Sequence, residues 1–200
     1  MKSRSGRLLV FLGLFTTAGV SNALTYTAQL SGPNESPPVA SPGTGFAIVD
    51  FDATAHTLRV NETFAGLLGN TTASHIHCCL ATPATGNAGV ATQVPTFVGF
   101  PLGVTGGTYE NTFNTLLPST WNPAFITANG GTAAGAETAL ASGLAGGTTY
   151  INIHTNLFPN GEIRGFLTQA TSGQAPEPGS IALVAIALGA LALSRRWKSS

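Results

Sequence analysis

Thr149 to Thr168 reads TYINIHTNLFPNGEIRGFLT. Within it Tyr150, Asn152 and His154 alternate with Ile151 and Ile153, the period-2 pattern of a strand. Pro159, Asn160 and Gly161 then supply turn chemistry before Glu162 to Leu167 resume an extended pattern, so the stretch predicts a β-hairpin. Strand side chains alternate between faces, so with Ile151 and Ile153 toward the core, Tyr150, Asn152 and His154 stand on a polar face. Ser74-His75-Ile76-His77 repeats the arrangement, with two histidines opposite one isoleucine. Three of the four histidines are therefore expected on strands, opposite aliphatic residues.

Outward from the hairpin, the middle of the chain reads in the same terms. Leu24 to Leu30 sets Tyr26, Ala28 and Leu30 against Thr25, Thr27 and Gln29 and predicts a first strand, which the Pro- and Gly-rich loop Ser31 to Gly45 ends. Phe46 to Phe51 and Thr57 to Phe64 predict two more, joined by a turn at Asp52 to His56. In the second of these Glu62 shares the face of Leu58, Val60 and Phe64. A carboxylate there needs a partner, because burying an unpaired charge is costly. Arg164, one of two arginines outside the terminal segments, is the candidate partner by scarcity. Ser74 to Leu80 is the histidine strand, while Ala81 to Thr96 has no firm pattern. Thr108 to Asn114 is expected to be extended, and Pro123 to Ala128 and Thr132 to Leu144 are expected to form short helices. Short strands between Gly/Pro turns, with one or two small helices late in the chain, predict an all-β Greek-key β-sandwich or barrel over residues 24–170.

Charge is scarce and unevenly placed: charged types make up 8% of 200 residues. Six of the eight basic residues lie near the ends, as Lys2, Arg4, Arg7, Arg195, Arg196 and Lys198. Between Leu24 and Ala175 seven acidic residues face only Arg59 and Arg164, a net charge of −5. Such a segment lacks the basic stripe that binding to phosphate backbones requires, which sets nucleic acid aside as a partner.

The ends read as targeting segments. Lys2, Arg4 and Arg7 precede the apolar run Leu8 to Phe15 and the small residues Ser21-Asn22-Ala23, the layout of a secretory signal peptide over residues 1–23. At the other end a linker at 171–178 leads into an apolar run at 179–194 and a basic tail at 195–200. A helix from Gly179 to Ser194 falls just short of the roughly 17–25 residues that span a bilayer, so it anchors only marginally. The basic cluster after it places the tail in the cytoplasm and the preceding chain outside. Pro176-Glu177-Pro178, the apolar helix and Arg195-Arg196 together resemble a PEP-CTERM sorting signal of exported proteins in Gram-negative bacteria that make exopolysaccharide. The resemblance implies processing by an exosortase-type membrane protease, a transient inner-membrane anchor, and delivery to the cell surface or matrix.

Tyr26 to Leu30, Ala73-Ser74-His75-Ile76-His77, and above all Tyr150-Ile151-Asn152-Ile153-His154-Thr155 followed by Asn160-Gly161-Glu162-Ile163-Arg164-Gly165 resemble the CHRD domain, named for chordin. The resemblance covers about Thr25 to Thr168. In chordin the domain belongs to an extracellular antagonist of growth-factor ligands, so it implies a binding or structural module rather than a catalyst. The chain departs from the pattern after the histidine pair, where many relatives place Gly-Pro and this sequence places Cys78-Cys79. Export favours oxidation of these thiols, and three states stay open: a vicinal disulfide, bridges between molecules, and thiolate metal ligands. On strand alternation Cys79 shares the face of His75 and His77, while Cys78 joins Ile76 in the core.

Two imidazoles at i and i+2 on a strand, with a third from a neighbouring hairpin, make a three-nitrogen set suited to zinc or copper. His75, His77 and His154 are the candidate ligands and Cys79 a weaker one. The reading set against it is that the same histidines donate structural hydrogen bonds to backbone and to Asn152 or Glu162. Two classes of function follow. One is a non-catalytic surface or matrix module that binds exopolysaccharide or an envelope protein. The other is a copper or zinc oxidoreductase, since a His-x-His on a Greek-key strand is similar to superoxide dismutase, although four histidines fall short of that enzyme's dinuclear set. Gly-x-Ser-x-Gly and a phosphate loop are absent from the sequence, and Asp50 and Asp52 flank a strand end, so hydrolase chemistry has no candidate set.

Overall fold

A computed structural model describes residues 23–170. All but the last residue of the predicted signal segment 1–23, and the predicted linker, anchor and tail at 171–200, lie outside the described residues. No helix among the described residues is long and apolar enough to cross a membrane.

The architecture is all-β. Eight strands, β1 (Leu24–Ser31), β2 (Thr44–Asp52), β3 (Thr57–Ala65), β4 (Thr71–His77), β5 (Gly107–Asn114), β6 (Tyr150–Thr155), β7 (Ile163–Phe166) and β8 (Thr168–Gln169), form one antiparallel sheet curled into a half-barrel. Its order is β4-β6-β7-β1-β2-β3-β5, with the short β8 also paired to β1. β1, β2 and β3 form a meander, and β7 returns late in the chain to lie beside β1, the Greek-key relation. Two helices, α1 (Pro123–Ala128) and α2 (Ala133–Ala145), follow β5. Each starts on a side-chain cap: Asn122 accepts from the Ala124 amide and Thr132 from the Gly135 amide.

The core is built from the alternation already visible in the sequence. Tyr26, Ala28 and Leu30 of β1, Ala47, Val49 and Phe51 of β2, Leu58 and Val60 of β3, and Ile76, Ile151 and Ile153 of β4 and β6 are all buried. Leu140 and Leu144 of α2 join the same cluster, with Phe97 from the long β4–β5 connection and Trp121 from the segment between β5 and α1. The hairpin forms as predicted, with β6 and β7 paired from Tyr150↔Phe166 to Ile153↔Ile163.

The polar face of the hairpin is itself covered: Tyr150 and Asn152 are as buried as their isoleucine neighbours. The connection after β4 covers it: the Ala88 amide and carbonyl both meet the Tyr150 hydroxyl, and Arg164 reaches the carbonyl of Gly86. The expected pair of Glu62 and Arg164 does not form. Arg164 instead lies 3.6 Å from Glu35, because β7 sits beside β1 in the register Ser31↔Arg164 and so points the guanidinium at the turn just past Ser31. Its Nε donates to the Asn34 carbonyl at 2.6 Å and its guanidinium stacks over the Tyr150 ring at 4.5 Å.

Glu62 is buried, as expected, but its neighbour is Ser74, whose Oγ lies 2.9 and 3.0 Å from the two carboxyl oxygens. The same Oγ lies 3.0 Å from the carbonyl of Asn152. One hydroxyl hydrogen cannot serve both acceptors. Burial pushes the Glu62 carboxyl up to about 8, and a protonated Glu62 donating to Ser74, which in turn donates to Asn152, satisfies all three groups.

Candidate metal centre

β4 and β6 pair directly, and their register sets His75 opposite Asn152 and His154 opposite Ala73. Paired residues share a face of the sheet, so His75, His77 and His154 gather on one side of the two strands. Their ring centroids are 5.1 to 6.1 Å apart. One ring nitrogen from each lies within 4.8 Å of the others. Neighbouring ligands on a tetrahedral zinc ion stand about 3.3 Å apart, so modest ring rotations bring all three onto one ion.

Each imidazole is oriented by a backbone carbonyl. His75 Nε2 meets Pro95 O at 2.7 Å, His77 Nδ1 meets Ala88 O at 2.9 Å, and His154 Nδ1 meets Pro159 O at 2.9 Å. A carbonyl can only accept, so the proton of each ring sits on the nitrogen facing it and the other nitrogen presents a lone pair. Those other nitrogens, His75 Nδ1, His77 Nε2 and His154 Nε2, are buried and have no hydrogen-bond partner. Backbone carbonyls that fix ring tautomer and orientation in this way are the usual outer support of metal-binding histidines.

Electrostatics agree with the geometry. Burial pushes His75 down to about 4, helped by His154 nearby and opposed by the Pro95 carbonyl. Burial likewise takes His77 down to about 4 against the pull of the Ala88 carbonyl, and it lowers His154. All three rings are therefore neutral at pH 7, with lone pairs free for a cation. His77 is further braced by the Tyr150 ring, stacked on it at 4.5 Å, and Arg164 packs over that same Tyr150 ring.

The three predicted histidines are thus brought together, and Cys79 is not. β4 ends at His77, so the alternation that put Cys79 on the histidine face stops before it. Cys78 and Cys79 are joined to each other in a disulfide, and both sulfurs face the Ala139 carbonyl of α2, with Cys78 buried in the core and Cys79 exposed. Gly143 makes room for them: a Cβ there would stand 2.5 Å from Cys78 Sγ and 2.7 Å from Cys79 Sγ. No free thiol remains to ligate a metal. Glu162, the other predicted hydrogen-bond partner of the histidines, is committed elsewhere. It accepts from Ser41 Oγ, the Leu68 and Gly69 amides and Thr155 Oγ1, and so clasps two loops to the hairpin. These hydrogen bonds outweigh the effect of its burial and hold its carboxyl below the usual range.

Glu35 and the orienting carbonyls carry no signal in the sequence that marks them for this site. Glu35 is buried, 3.4 Å from Asn152 Nδ2 and beside Arg164; burial raises its carboxyl to about 6 against the opposing charge of Arg164. Among the described residues, the histidine trio is the one group of three or more His, Cys, Asp or Glu placed to hold a metal. A dinuclear centre of the superoxide dismutase kind has no second set there.

An all-β domain with three imidazoles gathered on two neighbouring strands is the class that fold and site define. The chain matches the model of the CHRD domain over residues 26–167 and belongs to that family. No curated protein and no solved structure matches it.

Proposed function

We propose that this CHRD domain is a non-catalytic binding module that holds one zinc or copper ion at His75, His77 and His154. The observation that carries the proposal is the set of three buried, neutral imidazole nitrogens that converge without a donor among them. Leaving a buried acceptor unsatisfied costs about 1–3 kcal/mol, and a single cation relieves all three at once. Three neutral nitrogens suit zinc and copper better than calcium or magnesium, which prefer oxygen.

The sequence of the two ends supports a wider setting: export through residues 1–23, anchoring through 179–194, and release by an exosortase-type protease that reads Pro176-Glu177-Pro178 and Arg195-Arg196. In that setting the module works at the cell surface or in the matrix, with exopolysaccharide or an envelope protein as partner. Export is tested by the size of the chain in surface and membrane fractions with and without Arg195 and Arg196 changed to alanine.

Metal binding is tested by titrating zinc and copper into the purified protein against a chromophoric chelator. One equivalent per chain is expected, lost in the double variant His75→Ala, His77→Ala. Binding that the double variant retains in full, or none in the wild type, removes the proposal.

A further inference from the structure

Asn152 stands on the same face of the sheet as the three histidines. It pairs with His75 across the β4–β6 ladder, precedes His154 by two positions on the same face, and its amide lies within hydrogen-bonding reach of the His77 ring. It is 1% exposed. Its Nδ2 faces Glu35 Oε1 at 3.4 Å, and an ionised carboxylate held by Arg164 can only accept, which fixes the amide with its nitrogen toward Glu35 and its oxygen away. Gly161 permits this packing, since a Cβ there would meet Glu35 Oε1 and stand 2.6 Å from Asn152 Nδ2.

Asn152 Oδ1 is buried and has no partner. The His77 ring within its reach already gives its proton to the Ala88 carbonyl, as His75 and His154 give theirs to Pro95 and Pro159, so none of the three can donate to it. Asn152 Oδ1 therefore stands on the histidine face as a further acceptor without a donor. A metal ion satisfies the three nitrogens and still leaves Oδ1 without a hydrogen. An amide oxygen is also a poor rival to imidazole for zinc or copper.

We infer, resting on the metal reading above, that the ion keeps one coordination position free of protein atoms and that Asn152 Oδ1 reserves it for a ligand carrying its own proton. Water, an alcohol or an amine fits. An anion with no hydrogen, such as azide, places charge against an acceptor and is disfavoured. Three protein ligands plus one exchangeable ligand is the arrangement of open rather than closed zinc sites.

Copper(II)-loaded protein read by electron-nuclear double resonance in H2O and D2O, with azide titration, is the test. The wild type is expected to show a strongly coupled exchangeable proton that Asn152→Leu loses and Asn152→Asp, which keeps an acceptor, retains. Azide is expected to bind Asn152→Leu about tenfold more tightly than wild type, the equivalent of about 1.4 kcal/mol. No exchangeable proton in the wild type, or proton coupling and azide affinity unchanged in Asn152→Leu, overturns the inference while leaving the metal site standing. If Asn152→Leu does not fold, the wild-type spectrum decides alone. Failure of the wild type to hold copper, or its retention after His75→Ala, His77→Ala, removes the metal reading itself.

Discussion

Glu62 and the three histidines pull the pH dependence of stability in opposite directions. The Glu62 carboxyl is raised from 4.5 to about 8, so it contributes stability that is full at low pH and is lost as pH rises through about 8. The histidines are lowered, His75 and His77 to about 4, so their contribution is full above 6.5 and is lost as pH falls toward 4. Between pH 4.5 and 6 His75 and His77 offset Glu62 and Glu35 and the lowered His154 tilts the balance toward higher pH, from about 6 to 6.5 the histidines outweigh Glu62, and above 6.5 Glu62 acts alone among these groups. Urea unfolding of the metal-free protein is therefore expected to show greatest stability near pH 6.5, falling on the order of 2 kcal/mol by pH 8. Glu62→Gln is expected to flatten that alkaline limb and leave the acid limb in place. An unchanged alkaline limb in Glu62→Gln would mean that some other group titrates there. The same depressed histidines predict metal affinity that holds from pH 7 down to about 5, where free imidazole would already be mostly protonated. Calorimetry across that range is the check, and a tenfold loss per unit beginning at pH 6.5 would contradict the burial argument.

At the scale of the element, β7 is the clasp of the fold. Glu162 at its head and Arg164 within it between them tie down the loops at 34–41, 68–69 and 86–87. Glu162→Ala leaves two amides and two hydroxyls without their acceptor and is expected to cost about 2–5 kcal/mol, measured as a shift in the urea midpoint. A loss below 1 kcal/mol would show that water replaces the carboxylate. On α2, Gly143→Val drives a side chain into the disulfide and is expected to destabilise by about 1–3 kcal/mol, whereas Ser142→Ala, exposed one residue earlier, is expected to stay within about 0.5 kcal/mol.

What the sequence disclosed at this scale follows from what carries the information. Period-2 alternation is a property of side chains, so Ile151, Ile153 and Ile76 reported their face, and the three histidines opposite them followed. The partner of Arg164 was misjudged because scarcity of charge says nothing about strand register, and register alone sets it beside Glu35. Cys79 was misjudged because alternation was carried past His77, where β4 ends. The cover over the histidine face stayed illegible for a physical reason: it works through the backbone carbonyls of Ala88 and Pro95, which every sequence possesses.

For the whole molecule, the sheet keeps one face open along β1, β2, β3 and β5 but is covered on both faces at β4, β6 and β7, which leaves little solvent to hydrate the polar face there. That face must satisfy itself internally, and it does so for one nitrogen of each histidine but not for the other. Binding of an ion to the native state alone then adds to the stability of the entire domain, about 2.7 kcal/mol at a hundredfold excess over Kd. The central claim is that the three imidazoles are the ligands, and X-ray absorption at the zinc edge of the stoichiometrically loaded protein tests it most directly. The account predicts three imidazole nitrogens at about 2.0–2.1 Å with one further light-atom ligand and no sulfur. Sulfur scattering near 2.3 Å, or a shell without the multiple-scattering pattern of imidazole, would contradict it.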